Sequence, residues 1–298
     1  MTQDEVCCCE GGLVGANRQG DRSYTESRRV LALGYSSLDP TGGARRPGPE
    51  VTSKPDIGGI KKRLALVRER VERAARACGR SPDEVRLVVV TKGRTSEEVD
   101  ALIEEGVSDI GENRVDALLE RQRLLAKYPP GSIRLHLVGH LQRNKLSKAW
   151  AAMDVLHSLD SLALAEKIAL RGGLKERSGY MGKPEGPAQI PFDILVQVNI
   201  TQEPQKYGFA PDAVLEALDK MIALGLEPKG FMCISRIGAR AEEHRGYFEA
   251  LAQLAQKARD ASGRELPELS MGMTDDFEEA IKAGSTMVRV GRAIFEGA

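Results

Sequence analysis

Net charge is missing from this chain. Its 43 lysines and arginines are balanced by 43 aspartates and glutamates. No global field therefore draws it to nucleic acid or to an anionic membrane surface. Long apolar runs are missing too. Nothing approaches the roughly 20 residues needed to cross a bilayer, and the N-terminus lacks the basic-then-apolar order of a secretion signal. Cysteine does not come in a usable set either. Cys7, Cys8 and Cys9 are adjacent, Cys78 and Cys233 stand apart, and the total of five is odd. No disulfide framework follows, and a reducing cytoplasm is the expected compartment. The triplet has no His or Cys partner at ligand spacing, so it reads as tail rather than metal site.

What is present divides into two unequal parts. Residues 1–56 are rich in Gly, Arg, Ser and Pro, with a breaker-dense stretch at 40–49, and read as a disordered extension. From residue 57 to 298 the chain is regular and reads as a single domain. An amphipathic helix is expected over 60–77, with Leu64, Val67 and Val71 on one stripe. Strands are then expected at 85–91, 107–110, 133–139, 154–158, 193–199, 230–234, 268–271 and 287–291. Helices fall between them near 96–105, 114–127, 144–152, 161–171, 211–224, 241–261 and 275–283. Thr95 and Glu98 have capping-box spacing, Pro211 suits a first helical turn, and Gly106, Gly225 and Gly284 suit helix ends. A Gly/Pro-rich insertion at 172–191 reads as a surface loop. Eight alternations of this kind predict a parallel (β/α)8 TIM barrel, with a doubly wound open sheet as the alternative. The helix at 60–77 is expected to cover the barrel floor.

In such a barrel the chemistry lies at the C-terminal ends of the strands. Those ends supply Lys92, Asn113, His140, Asp160, Asn199, Met232, Ser270 and Arg289 in chain order. Lys92 closes the β-branched run Leu87 to Thr91. A lysine stem buried there would favour the neutral amine, the species that condenses with an aldehyde to a Schiff base. Capping of a strand end with the amine in water is the plainer reading of Lys92. Asn113 either caps the helix that follows or faces the site. His140 is a site group or a hydrogen-bonded structural one, and Asn199 a site group or the closure of a turn. Ser270, Met271, Gly272 and Met273 enter a helix near Asp275, where free N–H groups favour an anion, and Gly291 and Arg292 lie in the neighbouring loop. Loops seven and eight are the usual phosphate site of the fold.

A Schiff-base lysine and a phosphate cradle together suggest pyridoxal 5′-phosphate. Arg289, on the last strand, would face the pyridine nitrogen. Arginine cannot accept a proton there, so the ring would stay a weak electron sink and strong carbanion chemistry is not expected.

The segments Val88-Val89-Val90-Thr91-Lys92, Ile110-Gly111-Glu112-Asn113, His136 to Lys145, His157-Ser158-Leu159-Asp160-Ser161, Val196-Gln197-Val198-Asn199, Lys206-Tyr207-Gly208, Leu269 to Met273 and Val288-Arg289-Val290-Gly291 appear in that order. From about residue 57 onward this series resembles the pyridoxal phosphate homeostasis protein family. The resemblance implies the barrel of the alanine racemase N-terminal type, with Lys92 as the cofactor lysine and Lys206 as a second lysine linked to cofactor handling. It implies a carrier or regulator of vitamin B6 without established turnover, a monomer or weak dimer, with apo forms of pyridoxal phosphate enzymes as partners. Gly93-Arg94-Thr95 stand where the family often has a second lysine, and Arg292 where it commonly has threonine. Two other functions compete. A racemase needs two opposed bases, one of them from an additional β-domain, and no such domain is expected when the chain runs only from Gly291 to Ala298. A Schiff-base aldolase acting on a sugar phosphate would use the same lysine and cradle.

Overall fold

The computed structural model describes residues 55–174 and 190–296. The predicted disorder of 1–56 and most of the predicted loop at 172–191 thus lie outside the described residues. Asp56 is an exception and belongs to the folded domain. Its carboxylate accepts the Gly59 N–H at 2.9 Å as the N-cap of helix α1 (Ile57–Ala77). That cap satisfies a first-turn donor, so the helix starts three residues before the expected Ile60.

Strands and helices alternate from there: β1 (Arg86–Val90), α2 (Ser96–Glu104), β2 (Asp109–Glu112), α3 (Val115–Leu125), β3 (Arg134–Leu137), α4 (Leu146–Ala149), β4 (Val155–Leu159), α5 (Leu162–Arg171), β5 (Asp193–Val198), α6 (Val214–Ala223), β6 (Gly230–Cys233), α7 (Ala241–Ser262), β7 (Glu268–Ser270), α8 (Phe277–Lys282), β8 (Met287–Val290) and α9 (Arg292–Phe295). All neighbours pair in parallel, and β8 returns to β1 from Arg86↔Met287 to Val89↔Val290. That closure gives the eight-stranded barrel and removes the open sheet.

Local chemistry accounts for most boundaries. Thr95 and Glu98 form the expected reciprocal cap of α2. Gly106, Gly225 and Gly284 all take positive φ (79°, 82° and 96°), as helix stops of this kind require. Pro211 does not open α6, which begins at Val214 after a turn. The helix expected at 144–152 shrinks to a 3-10 turn (Arg143–Lys145) and the four residues of α4.

The apolar residues separate into two sets. Val88, Val155, Leu195, Met232 and Met287 fill the bore, and the larger set packs the strands against the helical ring. Helix α1 joins that ring and does not cover the floor. Its buried stripe, Ile60, Leu64, Val67 and Val71, is placed against α2, α8 and α9. Arg63 fastens it by donating to the carbonyls of Ile294 (2.8 Å) and Phe295 (3.2 Å) at the end of α9. The last helix of the barrel is only four residues long, so α1 supplies the apolar cover that a full-length helix would give there.

Candidate functional site

Lys92 stands two residues past the end of β1, in the four-residue turn from Thr91 to Arg94. The turn is closed by the Arg94 N–H on the Thr91 carbonyl at 3.1 Å. Gly93 has φ +71°, the left-handed value that the third position of a type II turn requires. Lys92 itself is exposed. The burial of its stem expected from the strand run is not what the turn provides, because the turn carries the residue out past the strand end. Among the described residues its amine makes no ion pair or hydrogen bond.

Arg289 projects into the bore, since Val288 and Val290 on either side of it belong to the outer core. It donates from Nη1 to the Ser270 hydroxyl and from Nη2 to the Cys233 carbonyl at 2.8 Å. Burial pulls its basicity below the ordinary arginine value, yet a guanidinium stays charged at neutral pH. Burial also pushes the Cys233 thiol up to about 12, which leaves it protonated and inert.

Ser270 continues the line. His157 Nδ1 lies 2.8 Å from its Oγ, His157 Nε2 lies 2.8 Å from His136 Nδ1, and His136 Nε2 lies 3.0 Å from Asp109 Oδ1. One assignment of protons satisfies every member. Arg289 donates to Ser270, Ser270 to His157 Nδ1, His157 Nε2–H to His136 Nδ1, and His136 Nε2–H to Asp109. The reverse direction would give Ser270 two donors and strand its hydroxyl proton in the core, at a cost of about 1–3 kcal/mol. Both imidazoles are therefore neutral. Burial lowers His157 well below the ordinary histidine value, helped by the positive charges near it. Burial lowers His136 too, against the pull of Asp109. For Asp109, burial alone would raise the carboxyl, but the hydrogen bonds from His136 and Ser108 and the charge of Arg86 outweigh it and the net shift is downward.

This chain of bonds predicts acid sensitivity. Below about pH 6.5 the unfolded chain protonates both imidazoles while the folded barrel keeps them neutral. Each then removes stability with a slope of about 1.4 kcal/mol per pH unit. Asp109, with its depressed value, acts in the same direction at lower pH: its contribution is present above about pH 4 and is lost as pH falls through the folded value. Urea midpoints should hold near pH 7 and fall clearly by pH 5. Equal midpoints at the two values would show that the folded barrel takes up these protons.

The loops after β7 and β8 differ from expectation in three ways. Ser270 is fully buried under Arg289, so its hydroxyl serves the bore and not an anion in the loop. Met271 is buried in the core, and the Met273 N–H is already taken by Asp276 Oδ1 at 2.6 Å. Arg292 pairs with Asp275 across the two loops, so its charge is answered by a carboxylate. What remains for a phosphate is the N–H of Gly272 and of Gly291, neither of which is engaged among the described residues. Neither glycine leaves room for an anion by lacking a side chain, because a Cβ on either would meet protein. At Gly291 it would lie 2.9 Å from the Val90 carbonyl, against the end of β1 that leads to Lys92. Gly291→Val would thus separate β8 from β1 and is no clean probe of the phosphate.

The other expected site residues settle by location. Asn113 is exposed, and α3 has Arg114 at its N-cap, so the helix-cap reading falls. His140 binds Asp160 at 2.6 Å and stacks on Tyr207 with 3.9 Å between ring centroids. Asn199 donates to the Glu203 carbonyl at 2.8 Å and thereby shapes its own loop. Lys206 contacts Thr201 (3.3 Å) and the Ser235 carbonyl (2.9 Å) and pairs with Glu203, so its amine is committed. Met232 lies in the bore layer and fills space. Sequence reasoning missed Asp109, His136 and His157 as a connected unit. The available signal was two histidines inside otherwise apolar strands. It also missed Tyr207 as the stacking partner of His140, and a buried cluster in which Ser235 bonds Asp276 and His244 (3.0 Å) behind the β7 loop.

Residues 63–298 match the family described as alanine racemase, N-terminal domain. The pyridoxal phosphate homeostasis protein of Escherichia coli (strain K12) is 32% identical over 244 residues, 79% of this chain and 95% of that protein. The protein of the same name from Aquifex aeolicus is 30% identical over 235 residues, 78% of this chain and 96% of the relative. PipY of Synechococcus elongatus, solved without PLP, superposes with a TM-score of 0.66 at 30% identity, covering 79% of this chain and 99% of that one. The same protein with PLP bound gives 0.64 at 28% identity, with the same coverage. D-threo-3-hydroxyaspartate dehydratase from Delftia, 20% identical with a TM-score of 0.57, covers 82% of this chain and 62% of its own and shares the fold alone. A chain with this closed barrel, this match and these relatives belongs to the alanine racemase N-terminal domain family and, within it, to the pyridoxal phosphate homeostasis proteins.

Proposed function

We propose that this chain binds pyridoxal 5′-phosphate at the barrel mouth through Lys92 and serves in the homeostasis of that cofactor without turnover. One observation carries the reading. A lysine with an uncommitted amine sits on a closed turn after β1, and β8, with Arg289 and Gly291, is hydrogen-bonded alongside that strand. The donor set fits the group. Lys92 would take the aldehyde, the N–H groups of Gly272 and Gly291 would face the phosphate, and Arg289 the ring nitrogen. When bound, the cofactor supplies an electron sink for amino-acid chemistry, and a fixed cation at the ring nitrogen weakens it. Asn113 and His140, with Tyr207 stacked on it, would line the mouth.

Absence of turnover is supported by what else is committed. Racemisation needs a second base, but the Lys206 amine is occupied and His140 is held by Asp160. The described helices include none long and apolar enough to cross a membrane. We take the recipients of the cofactor to be apo forms of pyridoxal phosphate enzymes, the protein to be a monomer or weak dimer in the cytoplasm, and residues 1–56 to be dispensable for binding.

The test is chemical. The purified chain mixed with pyridoxal 5′-phosphate should gain a visible absorbance band that borohydride removes, leaving a reduced adduct that maps to the peptide containing Lys92. Lys92→Ala should lose both band and adduct. A variant that keeps full absorbance, with the adduct elsewhere, would overturn the assignment. An adduct that forms only with a sugar phosphate would favour the aldolase.

A further inference from the structure

We infer that Arg121 is a positioning residue for Lys92, holding the turn so that its amine meets the aldehyde in one fixed direction. The inference rests on the reading of Lys92 given above. Arg121 lies on α3, separated along the chain from the turn by α2 and β2, and is buried. Its Nη2 donates to the Thr91 carbonyl at 3.3 Å and to the Arg94 carbonyl at 3.1 Å. Those carbonyls belong to the first and last residues of the turn, and Lys92 and Gly93 lie between them. Its Nε donates to Glu112 Oε1 at 3.0 Å, and the same oxygen accepts the Thr91 hydroxyl at 2.6 Å. Thr91 is thus held by side chain and carbonyl, and its N–H by the Gly111 carbonyl at 2.9 Å.

The consequence is a division of roles within four residues. The backbone on both sides of Lys92 is fixed by one planar guanidinium, while the Lys92 amine is bonded to nothing among the described residues. Charged donors to carbonyls are the stronger class of hydrogen bond, and a rigid fork loses less freedom per bond than an ammonium. Two buried atoms of the clamp, Arg121 Nη1 and Glu112 Oε2, have no partner among the described residues. Stability alone would favour an apolar pair here, so the retained charge points to a geometric role. In the step served, the neutral amine nitrogen forms a double bond to the aldehyde carbon, and the carbonyl oxygen departs as water with the two amine hydrogens. No electrons are exchanged with any other reagent.

Arg121→Lys tests this, since it keeps a charge but has one nitrogen where the guanidinium uses Nε for Glu112 and Nη2 for the two carbonyls. Circular dichroism and a melting curve establish that the full-length variant folds, and Glu112→Gln provides a second, milder loosening of the clamp. Stopped-flow absorbance with pyridoxal 5′-phosphate should show condensation slowed by about ten- to a hundredfold in Arg121→Lys, the scale of a small misplacement of a reacting group. Pyridoxine 5′-phosphate has an alcohol in place of the aldehyde and cannot condense. Its dissociation constant should match that of the wild type. Wild-type rates in both variants, or equal losses for the two ligands, would overturn the inference. Borohydride trapping on the wild-type chain separates the two levels. An adduct away from Lys92 refutes the site itself, whereas an adduct on Lys92 with unchanged variant rates refutes only the clamp.

Discussion

Glu112→Ala is expected to lower the unfolding free energy by about 3–5 kcal/mol, because it leaves the buried Arg121 cation without its counter-charge. Side-chain exposure is 6% at Arg121 and 1% at Glu112, so water cannot take over the role of the carboxylate. The substitution also removes the acceptor of the Thr91 hydroxyl. For a domain of this size the melting temperature should fall by roughly 6–20 °C. Glu112→Gln keeps a carbonyl oxygen for both donors and should cost about 1–2 kcal/mol. Thermal and urea unfolding of the two variants decide the matter. If both lie within about 1 kcal/mol of the wild type, the pair is not the anchor that its burial implies.

The second large effect is expected at Gly272. Its φ of +95° is unfavourable for any residue with a side chain, and a Cβ there would come within 2.6 Å of Ala280 Cβ and 2.9 Å of Phe277 Cα. The strain costs about 1–3 kcal/mol, and forcing α8 away from the loop costs a similar amount. Gly272→Val should therefore lose roughly 2–6 kcal/mol and displace the N–H available to the phosphate. Pyridoxal 5′-phosphate should bind more weakly even at temperatures where the variant remains folded. A variant with wild-type melting and binding would mean that the loop has another conformation of equal energy. The glycine is needed for packing against α8, and that packing fixes the N–H proposed for the phosphate.

The alternation of apolar runs and capping signals was enough to place all eight strands and the order of the helices, because period and caps are local properties of the chain. The same locality made Lys92, Arg289, Gly272 and Gly291 visible, each by its position at a strand end. Asp56 shows where local signals stop short, since its cap starts α1 three residues before the apolar stripe announced it. What the chain could not show by itself is which polar groups are already occupied. Lys206 looked like a reactive amine and is bonded to Ser235 in the next loop, and of the two readings of Asn199 the closure of its own loop holds. Ser270 looked like a phosphate ligand and lies beneath Arg289. Of the two readings of Asn113, the helix cap falls to Arg114. Those assignments depend on loop conformation and on partners elsewhere in the chain, 29 positions away for Lys206 and Ser235 and 19 for Ser270 and Arg289, and barrel closure likewise joins His136 to His157 and His157 to Ser270 across 21 and 113 positions. Sequence alone thus determined the β/α alternation and the strand ends at which chemistry is possible, while the pairing of β8 with β1 decided for the closed barrel. The tertiary structure decided which amine is free, which histidines are neutral, and that the missing side chains of Gly272 and Gly291 face protein. Pairing and burial across the bore are properties of the closed sheet and have no local signature.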